Sequence, residues 1–544
     1  MKIKKAGIAL GVLTAGALAL TGCAQDNSGE GGGGGSSVIT TNGSEPQNPL
    51  IPANTTETGG GKIVTSIFAG LVSYNADGSI VNDVAESIES EDNTLWTVTI
   101  NEAETFSDGT PVTAASFVDA WNWSANPTNN YGAQYFFDNI EGYVPVPGEG
   151  EDIPDVPEMS GLTVVDDTTF TVQLVAPEAD WPLRLGYTAY SPLPESFYED
   201  PEAFGESPVG NGPYMLDGEG AWEHDVRIDL VTNPEYDGAR TPQNDGLSII
   251  FYATQDAAFA DIQGGNLDVL DAVPDAQFAT YEEEFGDRAV NQAAAIFQGF
   301  NMPFYLEHWS GEEGELRRAA ISLAINREEI TEVIFQGTRT PATDFTSPVI
   351  DGYSADLEGS DVLEYDPERA VELWAQADAI APYGDTVFDL SYNADGGHQA
   401  WVDAVANSIA NTLDIEAVGR PLPTFAESLD ERANATLSGG VRAGWQADYP
   451  SLYNFLAPLY QTGAGSNYEG YSNPEFDALL LEGSQAASVE EATEIFQAAQ
   501  EILLQDLPTI PLWYSNVNGV SADTVDNVEF GWDSVPLYHE ITKG

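Results

Sequence analysis

The 544-residue sequence contains a single cysteine, Cys23, so it cannot form a disulfide within the chain. Basic residues are scarce as well: 17 lysines and arginines stand against 88 aspartates and glutamates, a formal net charge of −71. A surface of this charge repels nucleic acid and anionic lipid, which excludes nucleic-acid binding. The acidic residues are spread along the whole chain, which favours an adaptation to high ionic strength over the attraction of a cationic ligand.

Signals of enzymatic chemistry are missing too. The four histidines, His224, His308, His398 and His539, are scattered and form no H-E-x-x-H zinc motif. The sequence has no G-x-S-x-G nucleophile elbow, and the glycines before Lys62 lack the spacing of a phosphate-binding loop. These absences argue against an enzyme, and the residues point to no metal and no cofactor.

The amino terminus carries the one long apolar run. Residues 6–20 are uncharged and follow three lysines, but the run is shorter than the roughly 20 residues that a membrane span needs. This pattern is typical of a secretory signal peptide. The motif LTGC, which ends at Cys23, resembles the lipobox of bacterial lipoproteins, in which cleavage precedes an acylated cysteine. An ordinary signal peptide with an incidental cysteine is the alternative.

The lipobox resemblance predicts the arrangement of the first 37 residues. Residues 1–22 would be the signal peptide, and Cys23 would carry acyl chains (palmitate among them) that anchor the protein stably to the cell membrane. Residues 23–37, rich in glycine and serine, would form a flexible tether that holds the folded part away from the membrane.

Strand and helix signals alternate along the rest of the chain, without a second linker. Residues 94–100 and 169–175 alternate apolar and polar side chains, as half-buried strands do. Asp366 and Pro367 form a helix start, after which the apolar residues Ala370, Val371, Trp374 and Ala377 follow at helical spacing. Further on, a helical pattern at residues 490–507 leads directly into a strand pattern at residues 509–514. Such a mixture predicts α/β lobes that the chain visits more than once.

Seven segments occur in an order that is specific when taken together. They are FAGLVSYNADGSIVNDVAESI, WTVTINEAETFSDGTPVTAASFVDAW, GNGPYML, GGNLDV, LRRAAISLAINREEI, GWQADYP and GYSNPEFDALL. From about Pro49 to the carboxyl terminus, the chain resembles the extracytoplasmic solute-binding proteins of peptide/nickel-type ABC importers (family 5). The resemblance is to the oligopeptide-binding lipoprotein branch of that family.

The resemblance implies a two-lobe α/β fold of the periplasmic-binding-protein type (type II, cluster C), with an extra inserted subdomain and a hinge between the lobes. Lobe I would comprise residues 38–69, 187–293 and 515–544, the inserted subdomain residues 70–186, and lobe II residues 294–514. A monomer would capture an oligopeptide between the lobes and deliver it to the permease subunits of the transporter and their ATPases. It would be extracytoplasmic, would touch the membrane only through its lipid anchor, and would need no cofactor.

The chemistry of a free peptide defines what its site must contain. A peptide presents an ammonium, a carboxylate and unpaired backbone groups, so a site that tolerates any side chain needs an anion, a cation and a strand edge. The resemblance assigns the ammonium to Asp448, within GWQADYP. The residues implied to pair with the peptide backbone are Gly444, Trp445 and Gln446 on one lobe and Thr56 and Glu57 on the other.

For the carboxylate, the resemblance implies two arginines, Arg442 and Arg432, although one inserted residue between them departs from the family pattern. It also places Asn393, His398 and Phe425 in the pocket; His398 is either a ligand contact or an ordinary core or surface histidine. The disulfide that staples a lobe in the family is absent. Two alternatives remain open: the same fold binding a dipeptide, nickel chelate, sugar or signalling peptide, or a secreted hydrolase or surface structural protein.

Overall fold

The computed structural model describes residues 37–145, 156 and 158–544, so the predicted signal peptide, Cys23 and most of the predicted tether lie outside the described residues. The α-helices of this part are α1 Thr58–Ile67, α2 Ala114–Ala125, α3 Pro201–Glu206, α4 Gln255–Gln263, α5 Tyr281–Phe285, α6 Gly311–Leu323, α7 Arg327–Val333, α8 Pro367–Ile380, α9 Gln399–Leu413, α10 Phe425–Ala433, α11 Leu452–Tyr460, α12 Pro474–Ser484 and α13 Val489–Asp506. The strands are β1 Val38–Gly43, β2 Val72–Tyr74, β3 Ile80–Asn82, β4 Ala85–Ser90, β5 Leu95–Ile100, β6 Leu162–Val164, β7 Thr169–Gln173, β8 Tyr214–Leu216, β9 Trp222–Glu223, β10 Arg227–Thr232, β11 Gly246–Phe251, β12 Val269–Leu270, β13 Ala289–Asn301, β14 Arg339–Pro341, β15 Phe388–Asn393, β16 Ala417–Leu422, β17 Gly440–Gln446, β18 Thr509–Ser521, β19 Val525–Asp526 and β20 Thr542–Lys543.

A twelve-stranded mixed sheet runs through both halves of the molecule in the order β16-β15-β17-β13-β18-β12-β1-β11-β10-β8, with β14 beside β18 and β9 beside β10. The long strands β13 and β18 are antiparallel and join the two halves. Their register is irregular between Ala293 and Phe297. The predicted lobe boundary, between residues 293 and 294, falls at this irregularity, and the boundaries themselves stay predictions.

Two large hydrophobic cores lie on either side of this strand pair. One core draws its residues from positions 39–269 and 517–541, and the other draws them from positions 295–514. Two aromatic residues cross over: Tyr449 packs in the first core, and Trp532 packs in the second. The chain therefore passes back and forth between the halves, and Tyr449 reaches across next to the predicted ammonium site.

The local signals produce the elements that they predict. Thr113 caps α2 in a reciprocal box with Ser116. At α8, the Asp366 carboxylate accepts a hydrogen bond from the backbone N–H of Arg369 at 3.0 Å, and Pro367 is the first helical residue. The expectation that Val371 faces the core is wrong: its side chain is 50% exposed. The buried residues of α8 follow i, i+4, i+7 spacing from residue 370, which leaves residue 371 on the solvent side.

The predicted inserted segment, residues 70–186, has a sheet of its own. Four antiparallel strands pair in the order β4-β5-β7-β6. Trp96 and Val98 of β5 and Phe170 and Val172 of β7 are buried, as the alternating pattern predicts. This small sheet packs in the same core as the first half of the molecule.

Candidate functional site

Strand β17 presents an unpaired edge. One side pairs with β13 from Val441 to Gln446. The other side pairs with β15 only at Gly440 and Val441, so among the described residues no strand covers this edge from Arg442 onward. Backbone groups at such an edge are a template for an added extended chain. Gly444 and Gln446 are exposed there, as a strand that receives a ligand requires.

Asp448 lies two residues after the end of β17 and is held by a polar cluster with Trp445 and Asn454. The Asn454 side-chain carbonyl accepts hydrogen bonds from the Asp448 backbone N–H and from Trp445 Nε1, each at 3.0 Å. Asn454 Nδ2 in turn donates to Asp448 Oδ2 at 3.2 Å. Asn454 lies in the first turn of α11, and this turn fixes the orientation of the half-buried carboxylate.

The surroundings of Asp448 raise its pKa to about 6. Burial is the main cause, and the hydrogen bond from Asn454 and the charge of Arg184 act in the opposite direction. The same carboxylate interacts with two tyrosines of the opposite half, Tyr135 and Tyr187. Burial is the main cause that raises the pKa of each phenol, and the charge of Asp448 is the next. Asp448 therefore faces residues of the first half of the molecule, as an anion that lacks full compensation.

Arg442 lies at the other end of the same strand, on the face that carries Gly444 and Gln446. Among the described residues it has no ion-pair partner, and its buried Nε atom has no hydrogen-bond acceptor. Burial and the neighbouring charge of Arg432 lower the pKa of its guanidinium. Burying a cation without a counter-ion costs free energy, and such a cation is typical of a site that binds an anion.

Arg432, the second predicted carboxylate partner, is in a different state. Its Nε and Nη2 atoms donate to the two oxygens of Glu469 at 2.7 and 3.2 Å, and its guanidinium lies 4.8 Å from the ring centre of Tyr468. Its charge is already compensated. Together with Phe425, Gly444 and Trp445, it lines a cavity of about 180 Å³ beside the strand edge. Phe425 is 45% exposed at this cavity.

Asn393 and His398 lie together at the end of β15. A Cβ atom on Gly396 would come within 2.6 Å of Asn393 Nδ2 and closer still to His398 Nε2. Trp401 Nε1 donates to His398 Nδ1 at 3.2 Å, and the Trp401 ring meets Trp513 edge-on at 5.4 Å. His398 thus has a packing and hydrogen-bonding role in the second half of the molecule.

Trp513 extends this contact chain to β13, on the paired side of β17. Trp513 Nε1 donates to Gln298 Oε1 at 2.8 Å, and Gln298 stands opposite Gly444 in the pairing of β13 with β17.

Thr56 and Glu57 lie on the other half, at the start of α1. Glu57 accepts a hydrogen bond from the backbone N–H of Gln47 at 2.9 Å, and a Cβ atom on Gly132 would meet the Thr56 hydroxyl at 3.3 Å. Their described contacts lie within the first half and the inserted segment. The structure thus places Asp448, Arg442, Arg432 and Phe425 at or beside β17, Asn393 and His398 at the end of β15, and this pair on the opposite half.

Four residues of the site escaped sequence reasoning: Asn454, Tyr135, Tyr187 and Arg184. Asn454 could have been found, because an amide in the first turn of a helix six residues after Asp448 is within reach of it. The other three belong to the first half of the chain and are marked by no local pattern.

Two further properties of the described residues bear on function. Within residues 37–145, 156 and 158–544, no helix combines the length and the apolar character needed to cross a membrane. The same residues contain no group of three His, Cys, Asp or Glu side chains placed to hold a metal ion.

Comparison with known families decides the class of protein. The profile of the bacterial extracellular solute-binding proteins, family 5 Middle, matches residues 79–467, which is more than half of the chain. The chain belongs to this family. This solute-binding protein is 28% identical over 531 residues to the periplasmic oligopeptide-binding protein OppA of Salmonella typhimurium. The alignment covers 94% of this chain and 93% of the relative. It is also 26% identical over 493 residues to the dipeptide-binding protein DppE of Bacillus subtilis, with 86% of each chain covered.

A solved structure confirms the fold of this solute-binding protein. The periplasmic murein tripeptide-binding protein MppA, in its unliganded open form, matches with a TM-score of 0.80 and 22% identity. The match covers 93% of this chain and 97% of the MppA chain. The predicted two-lobe α/β fold of the type II class is therefore confirmed.

Proposed function

We propose that this solute-binding protein is the lipid-anchored receptor of an ABC importer, and that it captures short oligopeptides between its lobes for delivery to the permease. The observation that carries the proposal is the unpaired edge of β17, with Asp448 beyond one end and Arg442 at the other. The strand edge can pair with the backbone of a free peptide, Asp448 can bind its ammonium, and Arg442 can bind its carboxylate. The peptide ligands in the names of OppA and DppE support the same class of ligand.

The spacing of the two charges limits the length of the peptide. Arg442 precedes Asp448 by six positions, and an extended chain over six positions spans at most about 20 Å. A peptide that pairs along this edge with both termini neutralised would therefore have about six residues or fewer, with the reach of the arginine side chain allowing a little more. A bound peptide would contact both lobes and would stabilise the closed form by its greater affinity for that form.

Native mass spectrometry of the purified protein tests the ligand class. We expect co-purified peptides to appear as a ladder of added masses that disappears after denaturation and refolding, because a closed cleft retains its ligand. Added masses of a single dipeptide, a metal chelate or a sugar would instead support the alternative ligands for this fold. A ligand-free protein that binds none of a set of di- to hexapeptides in calorimetry would overturn the proposal.

The lipid anchor is tested separately, at Cys23, which lies outside the described residues. Because the lipobox resemblance places the lipid on the Cys23 thiol, which serine lacks, we expect Cys23→Ser to give a folded protein that is released to the medium or keeps its signal peptide. Cell fractionation and the mass of the intact protein measure this, with Ser28→Ala in the predicted tether as the control. A Cys23→Ser protein that is processed and fractionates with membranes like the wild type would refute lipid anchoring.

A further inference from the structure

Arg184 is a buried cation of the inserted segment that reaches toward the site from the opposite half of the molecule. It forms an ion pair with Glu178. Its guanidinium carbon lies 4.9 Å from the ring centre of Tyr449, a favourable cation–π distance. Tyr449 directly follows Asp448, so Arg184 packs on the segment that carries the predicted ammonium partner.

Two further contacts hold the inserted segment against the second half. The Ser451 hydroxyl donates to Asp180 Oδ2 at 2.5 Å, in a buried position. The backbone N–H of Ala179 donates to the carbonyl oxygen of Ser484 at 3.0 Å. Arg184 and Asp180 thus join the inserted segment to residues that follow closely after Asp448, and Ala179 adds a contact at the end of α12. Burial at the Arg184 and Asp180 contacts excludes the water that would otherwise screen the charges.

Charged and titratable groups lie on both sides of this contact, and the phenols of Tyr449 and Tyr453 of the second half lie near Arg184. The charge that acts on Asp448 is that of Arg184, and the phenols of Tyr135 and Tyr187 face the same carboxylate. Asn454, on the other side, donates a hydrogen bond and carries no charge.

Arg184 itself lies among carboxylates of the inserted segment. The Asp180 carboxylate acts on it together with its ion-pair partner Glu178, and Arg184 in turn acts on the carboxyl of Asp138.

We propose that Arg184 is a positioning residue of the amine site: it keeps the Asp448 carboxylate ionised in the empty protein and, through Tyr449, holds it at the face of the inserted segment. This inference rests on the proposed peptide-binding function. Arg184 acts through Asp448 and need not touch the ligand. A permanent cation so close also repels the incoming ammonium, so its benefit is confined to the pH range in which Asp448 would otherwise take up a proton.

The pH dependence that follows has a definite sign. In the empty protein the pKa of Asp448 is raised to about 6 by burial. An ammonium binds the ionised form, so below this pH the complex holds fewer protons than the empty protein, and the affinity falls as the pH falls through about 6. Without the charge of Arg184, the pKa rises further, and the loss of affinity begins at a higher pH.

The test is calorimetric titration of trialanine into the wild type and into Arg184→Gln, at intervals from pH 8 to pH 5.5. We expect the two dissociation constants to agree within about twofold at pH 8. At pH 5.5 we expect the variant to bind about tenfold more weakly, because without the cation a smaller share of Asp448 is ionised. Arg184→Lys, which keeps the charge, should restore the wild-type profile, and Arg227→Gln, at an exposed arginine of the first half, should leave it unchanged. A loss of the same size at every pH would mean that Arg184 only supports the structure, and it would overturn the inference.

A second measurement decides the inference without any peptide. In protein labelled with [¹³C]aspartate, the resonance of Asp448 is the one missing from Asp448→Asn, and its titration midpoint in the empty protein should be higher in Arg184→Gln than in the wild type. An unchanged midpoint refutes the role of Arg184. A raised midpoint in a protein that binds no peptide would instead refute the proposed function and leave the effect on Asp448 established.

Arg184→Gln leaves Glu178 buried without its cation, which can prevent folding. In that case the double variant Arg184→Gln/Glu178→Gln is used instead. The second substitution should not itself affect Asp448, because the charges that interact with Glu178 are those of Arg184, Asp180 and Asp138, and Asp448 is not among them. The double variant should show the same upward shift of the titration midpoint, and an unchanged midpoint would refute the inference equally.

Discussion

Replacing Asp448 with alanine is expected to weaken the binding of a free peptide by about 30- to 5,000-fold. Closed lobes separate the peptide ammonium from water, and removing one partner of a desolvated ion pair costs roughly 2–5 kcal/mol. The melting temperature of the empty protein should change little, because Asp448 is half-buried and bonded mainly to Asn454. Titration calorimetry with a tripeptide measures the affinity.

An N-acetylated peptide completes this experiment as a double-mutant cycle. It brings no ammonium, so it should bind the wild type poorly and lose little more on binding to Asp448→Ala. Asp356→Ala removes an exposed carboxylate of the same half and serves as the matched control, with no expected change. Equal losses for the free and the acetylated peptide would show that Asp448 does not contact the ammonium.

The local structure around this site could be predicted from the sequence because it depends on short-range rules. Alternating apolar residues produced β5 and β7, and Asp366 with Pro367 produced the start of α8. The strand predicted at residues 509–514 is longer in the structure and runs to Ser521. Its extension carries the chain from one half to the other, so it is stabilised by pairing with β12 and β13, partners that no local pattern reveals.

The composition of the site depends on contacts between distant parts of the chain. Tyr135, Tyr187 and Arg184 interact with Asp448 only because the first half of the molecule packs against the second half. The motif GWQADYP marks Asp448, but nothing adjacent in the sequence marks these partners. Tertiary packing decides which of many acidic residues is buried and only partly compensated.

The two arginines show the same limit. In the sequence, the family resemblance offers both Arg432 and Arg442 for a peptide carboxylate, and the inserted residue between them counts against Arg432. In the structure, Glu469, 37 residues further along the chain, neutralises Arg432. No carboxylate among the described residues does this for Arg442. The two arginines therefore differ by one long-range ion pair. This difference predicts how replacement of Arg442 affects stability and peptide binding.

Arg442→Met is expected to stabilise the empty protein and to weaken peptide binding. The arginine is a half-buried cation without a counter-ion, and the charge of Arg432 beside it lowers its pKa, so the folded state disfavours its charge. Methionine keeps the length of the aliphatic stem and removes that charge. The melting temperature of the ligand-free variant should therefore rise, whereas the loss of a compensated arginine lowers it.

The binding side of the prediction concerns the peptide carboxylate. A free tripeptide should bind Arg442→Met about 30- to 5,000-fold more weakly than it binds the wild type, for the same reason as at the ammonium end. The corresponding peptide amide has no carboxylate, so it should bind both proteins with similar, low affinity. Calorimetric titration of acid and amide into both proteins measures the coupling between the arginine and the peptide terminus.

Arg420→Met is the matched control. Arg420 lies on β16, which β15 separates from β17 in the sheet, and its Nε donates to Asp389 Oδ2 at 3.1 Å, while its other nitrogens pair with Glu431. Removing it leaves two carboxylates without their cation, so the melting temperature should fall and the affinity for peptide should stay unchanged. If Arg442→Met instead lowers the melting temperature, or weakens acid and amide equally, the arginine is part of the scaffold and the carboxylate binds elsewhere. A raised melting temperature together with a loss confined to the acid would mean that the empty protein tolerates an unfavourable charge which the ligand then neutralises.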